Sequence, residues 1–219
     1  MDDEMWVAHD QKWSWAFFLS KRGVTSLLSQ ILSKLQYNSP VILTFFFLSF
    51  FVLLSGYLTR GRSTAALFSV YRCSPTPFSL VRLLTHVLGH SDFHHFAGNM
   101  TLLLVIGPPM EEKYGSESLL IMIGITAVVS GILQCVFFSN TALLGASGIV
   151  FMLILLSSIS GVSQGMIPIT LILVAFIYLG QEIVSMVSSH DNISHLTHIV
   201  GGLCGAAFGL FACGTTLYL

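Results

Sequence analysis

The sequence predicts an all-α membrane protein of six crossings, and three observations lead there. Of 219 residues, 54% are hydrophobic and only 9% charged, against roughly 25% charged in an ordinary soluble domain; the mean hydropathy is +0.82. No Asp, Glu, Lys or Arg stands between Glu117 and Glu182, and none follows Asp191. A hydrocarbon slab about 30 Å thick takes around 20 apolar residues per helix, so the longer charge-free stretch holds about three crossings. After position 40 the apolar residues divide into blocks of helical length at 41–58, 93–110, 119–138, 142–160, 166–187 and 193–212.

Residues 1–40 form an extension to the 41–219 core. Val24, Leu27, Leu28, Ile31, Leu32 and Leu35 recur at helical spacing, with Lys21, Arg22 and Lys34 near the ends, the pattern of a helix lying on a membrane surface. Trp6, Trp13 and Trp15 precede it and suit an interfacial anchor or, equally, a small soluble cap. The acidic start, Met1 to Glu4, lacks the basic flank and adjoining apolar core of a secretory signal, so the first crossing is expected to persist. A segment of roughly thirty residues with Arg60, Arg62, Arg72, Pro75, Pro77 and Arg82 joins the first two crossings, and its length and residue choice mark a structured, functional loop. Lys and Arg divide almost evenly between the extension and this loop, and the N-terminus is taken as cytosolic.

The net charge of −1 and scattered basic residues exclude the basic stripe of a nucleic-acid-binding protein. Cys73, Cys135, Cys204 and Cys213 are widely spaced, which suggests packing, with no disulfide framework or zinc ligand set.

Polar side chains at membrane depth are functional candidates. Gly145-Ala146-Ser147-Gly148, at the start of the fourth crossing, reads as close packing through small residues or as a serine nucleophile whose glycines leave room for substrate. His198 in the sixth crossing is followed by Gly201, Gly205 and Gly209; a lone histidine is commonly structural, but these glycines share a face on which a neighbouring helix can approach closely. His95 and Asn99 lie four residues apart, on one face of a helix. They read as interhelical hydrogen bonding or as donors to an oxyanion. His86, His90 and His94 repeat at four-residue spacing, joined only by Asp92; histidine-only metal sites are a minority, and no metal or cofactor is expected.

In this order, His86-x3-His90-x4-His95-x3-Asn99, Gly145-Ala146-Ser147-Gly148 and His198-x2-Gly201-x3-Gly205 resemble the rhomboid family of intramembrane serine proteases, over about 41–212. The resemblance implies a six-helix rhomboid bundle with a long structured first loop. Ser147 would be the nucleophile and His198 the general base, in a dyad without aspartate, and His95, Asn99 and the Ser147 backbone N–H the oxyanion hole. Gly107-x3-Glu111-x3-Gly115 looks like the family motif in which the glutamate braces the first loop. Arg82 matches the arginine of the family's Trp-Arg pair, with Val81 in place of the tryptophan. Phe151 stands where the family often has a tyrosine stacked on the catalytic histidine, and Gly145, Gly148, Gly201 and Gly205 count as structural support. Implied partners are the lipid bilayer and protein substrates whose transmembrane helix enters sideways, past the fifth crossing and the 188–193 loop. Alternatives are an inactive rhomboid-like protein that binds membrane clients, and a histidine-dependent transporter or metal-binding membrane protein. The compact core fits a bacterial inner membrane, with an organellar membrane as the other host.

Overall fold

The computed structural model describes residues 29–30, 32–72, 76–138, 141–160, 169–174, 176–177 and 192–216. The chain divides into two units, Met1–Asn38 and Ser39–Leu219, and the second carries all that follows. Half of the surface helix expected near 24–35 lies outside the described residues, as do the three tryptophans, most of the fifth crossing at 166–187, and the 188–193 loop except its last two residues.

The described elements are helical: α1 Pro40–Leu58, α2 Arg62–Leu67, α3 Pro77–Thr85, a 3-10 turn His86–Leu88, α4 Phe93–Tyr114, α5 Ser116–Phe137, α6 Ser147–Ile159, α7 Ile169–Val174 and α8 Asn192–Thr216. Among the described residues there is no strand, only an isolated antiparallel bridge between Val70 and Leu143. By length and composition α1 and α5 can each cross a membrane. The expected second crossing runs on to Tyr114, through Pro108 and Pro109.

The distribution of polarity is that of a protein dissolved in lipid. Phe47, Phe51, Leu58, Leu120 and Ile121 are exposed on α1 and α5, while Ser49, Thr126, Ser130 and Gln134 are buried. A water-soluble bundle would invert this, because exposed apolar surface is costly only in water. Inside, α6 is the hub: Ile149, Met152, Leu153 and Leu156 are fully buried among α4, α5 and α8.

Glu111 closes the start of the bundle. Ser39 makes no side-chain cap for α1; instead the buried Glu111 carboxylate accepts from Val41 N at 2.9 Å, Ile42 N at 3.1 Å and Ser116 Oγ at 2.7 Å. Negative charge at a helix N-terminus satisfies orphan N–H groups and opposes the helix dipole. Glu111 therefore fixes the start of the first crossing, a correction to the first-loop brace that the family motif suggested. Gly107, one turn before, admits Ile42, whose Cδ1 would be 2.5 Å from an added Cβ.

The segment between α1 and α4 is tied down by its own residues. Arg82 is buried with its guanidinium 4.1 Å from the centre of the Tyr71 ring, so Tyr71 supplies an aromatic partner that Val81 cannot; Val81 points outward and is exposed. Arg72 donates to the Cys135 and Val136 carbonyls at the end of α5, where cationic donors meet unpaired carbonyls.

Candidate active site

Ser147 opens α6. The expected crossing at 142–160 is corrected here: residues 141–146 are not helical, and α6 has only 13 residues, about 20 Å at 1.5 Å each. Extended backbone inside a bilayer must be satisfied by protein, and two segments of the first loop do this. Leu143 exchanges hydrogen bonds with Val70, N–H to carbonyl at 2.9 Å each way, and Gly145 N donates to the His86 carbonyl at 3.0 Å. Gln134 Nε2 adds bonds to the Thr141 carbonyl at 3.0 Å and its hydroxyl at 3.2 Å.

The glycine at 145 is required twice over. Its φ is +124°, a region L-residues rarely adopt, and an added Cβ would lie 2.8 Å from both Nε2 and Cε1 of His95 and 3.8 Å from Asn99 Nδ2. The structure thus brings His95 and Asn99, one face of α4, against the loop two residues before Ser147. Asn99 is buried, and its Nδ2 has no hydrogen-bond partner among the described residues. A buried amide donor without an acceptor is costly, and this one lies near Gly145, two residues before Ser147.

His198 comes from α8. Its ring is stacked on Phe151, centroids 4.3 Å apart and planes inclined by 6°, and both ring nitrogens are buried. Phe151 follows Ser147 by one helical turn, so the stack and the serine share a face of α6. The glycines make this approach possible. A Cβ on Gly201 would sit 2.1 Å from the Gly148 carbonyl oxygen, one on Gly205 2.1 Å from that of Met152, and one on Gly148 3.1 Å from Thr197 Cγ2. The α6 and α8 backbones are in direct contact, as small residues at membrane helix interfaces allow.

Around this centre, burial pushes His86 and His90 down to about 4, so both are neutral at pH 7. His86 Nδ1 lies 3.2 Å from the Arg82 carbonyl and His90 Nδ1 3.2 Å from that of Leu88. Among the described residues no group of three or more His, Cys, Asp or Glu could hold a metal. A cavity of about 400 Å³, lined by Tyr57, Arg60, Thr64, Ser69, His90 and Ser91, lies beside His95, whose ring is 5.0 Å from that of His90.

Tyr71, Val70 and Ser91 escape a reading of the sequence, since each acts on a residue or a segment whose nearness only the fold creates. Asp92 was legible: it immediately precedes α4 and its Oδ1 accepts from His95 N at 2.9 Å, the ordinary helix-capping bond. That bond first, and one from Ser91 second, hold its carboxyl below the usual range.

Fold and site together define an all-helical integral membrane protein with polar groups gathered around a broken helix start inside the bundle. The profile of the Rhomboid domain matches residues 77–215, more than half of the chain. The chain belongs to the rhomboid family. A comparison with curated proteins gave no match.

Proposed function

We propose that the protein hydrolyses peptide bonds in or beside transmembrane helices of other membrane proteins, with Ser147 as nucleophile and His198 as general base. The observation that carries this reading is the His198 ring stacked on Phe151, one turn from Ser147 on the same helix. Rhomboid membership is compatible with a protease or an inactive relative; the presence of both dyad residues favours the protease.

A ring nitrogen of His198 takes the Ser147 hydroxyl proton as Oγ bonds to the scissile carbonyl carbon. The carbonyl oxygen becomes an oxyanion that, in this reading, accepts from Asn99 Nδ2, His95 and the Ser147 backbone N–H. His198 then passes its proton to the departing amine nitrogen as the C–N bond breaks, leaving an acyl-serine. A water loses a proton to His198 and its oxygen attacks the acyl carbon; Ser147 leaves and recovers that proton. No carboxylate orients the imidazole in this scheme, and packing on Phe151 takes over that task. The cavity lined in part by His90 and Ser91 gives water room beside His95.

The test is cleavage of a single-span protein by the purified chain in liposomes, comparing wild type with Ser147→Ala and His198→Ala. Each substitution is expected to lower cleavage by roughly 10³-fold or more while the unfolding temperature stays near that of the wild type. Undiminished cleavage by the serine variant refutes the proposal.

A further inference from the structure

We infer that Ser91 is a positioning residue for His95, held in that role by Asp92; the inference rests on the oxyanion-hole reading above. Ser91 Oγ donates to Asp92 Oδ2 at 2.7 Å and lies 3.2 Å from His95 Nδ1. A serine hydroxyl has one hydrogen, and here the carboxylate takes it. The contact with the imidazole is then filled by Nδ1–H donating to the serine oxygen. Asp92 cannot swing away, because its other oxygen is bonded to His95 N at 2.9 Å.

Two consequences reach the site. Anchored at Nδ1, the ring turns its opposite edge toward Gly145, with Nε2 2.8 Å from where a Cβ would stand. With Nδ1–H given to Ser91, Nε2 carries a hydrogen only in the imidazolium; the carboxylate two hydrogen bonds away and the oxyanion itself both favour that form, whose Nε2–H is the donor a developing oxyanion would meet. Among the described residues, the other groups set against His95 carry no charge at pH 7: His90 at 5.0 Å, kept neutral by burial, the amide of Asn99, and the loop before Ser147. Capping of α4 explains Asp92 by itself but not Ser91, an exposed residue whose hydroxyl bridges carboxylate and ring.

The experiment uses the full chain, comparing wild type with Ser91→Ala and Ser91→Thr. Ser91→Ala is expected to lower kcat ~10-fold, the lower end of what losing an orienting partner costs, with KM and the unfolding temperature unchanged. Ser91→Thr, which keeps the hydroxyl, is expected to restore kcat. Independently of catalysis, ¹⁵N NMR of histidine-labelled protein is expected to show the His95 Nδ1 signal moving in Ser91→Ala and returning in Ser91→Thr. Wild-type kcat in the alanine variant, or an unmoved ring signal, overturns the inference. If the wild type cleaves nothing, it is the proteolytic reading that fails, and the ring signals still decide this one.

Discussion

Gly201→Ala puts the smallest possible wedge between the two helices that carry Ser147 and His198. An added Cβ would lie 2.1 Å from the Gly148 carbonyl oxygen, 2.8 Å from its carbon and 3.0 Å from its Cα. All three are backbone atoms, so no side chain can rotate away. Taking the shortest contact from 2.1 Å to the 3.0 Å below which real Cβ contacts essentially vanish requires α6 and α8 to part by about 0.9 Å. Overpacking of this kind costs about 1–3 kcal/mol, offset by the roughly 1 kcal/mol by which alanine favours a helix over glycine. The bundle should therefore fold with a slightly lower unfolding temperature. Activity should suffer far more, since Gly148 adjoins Ser147 and His198 lies one turn from Gly201; a misplacement near 1 Å costs on the order of 10²-fold. Liposome cleavage of a single-span substrate, read beside thermal unfolding in detergent, separates the two effects. Gly124→Ala is the control: nothing lies within 4 Å of a Cβ there, so stability should rise by up to about 1 kcal/mol with cleavage unaltered. Wild-type cleavage by Gly201→Ala would refute the claim that close helix contact sets the site.

Three further outcomes follow from named contacts. Glu111→Ala strips the acceptor from Val41 N, Ile42 N and Ser116 Oγ; unfolding should become easier by about 3 kcal/mol, with Glu111→Gln intermediate because one oxygen remains. Tyr71→Leu removes the ring under the buried Arg82 guanidinium and should cost about 2 kcal/mol in denaturant or thermal unfolding, whereas Tyr71→Phe should cost far less. His86 and His90 fall from the ordinary 6.5 to about 4 on folding, so between those values the unfolded chain binds more protons. Stability should then be full above about pH 6.5 and fall as pH drops toward 4. His86→Gln should flatten the unfolding-temperature profile across that window, and an unchanged profile would reject the assignment.

Much of the site was visible in residue types and spacing. Ser147 between glycines, His198 ahead of its glycine ladder, and the His95-Asn99 pair are local patterns, and helix periodicity alone puts each set on one face. The charge-free stretch from Glu117 to Glu182 marked lipid as the solvent, because a charge there would have to be buried or paired. Helix ends were less legible. The 142–160 block is free of charge and reads as one helix, yet a positive φ at Gly145 and the bridge to Val70 hold its first residues out of it. The partners of Glu111 were not legible, since the N–H groups it caps lie about 70 positions away.

The sequence by itself determined the solvent, the family motifs and the faces that carry them, because hydropathy and helical period act within a few turns. Only the tertiary structure decided that His95 and Asn99 meet Gly145, that Tyr71 covers Arg82, and that the first loop holds the strand-like entry to α6. These contacts join residues far apart in the chain, and their distances depend on how closely backbones can pack. No local propensity encodes that separation; it is set by glycines on one helix and the carbonyls they admit on another.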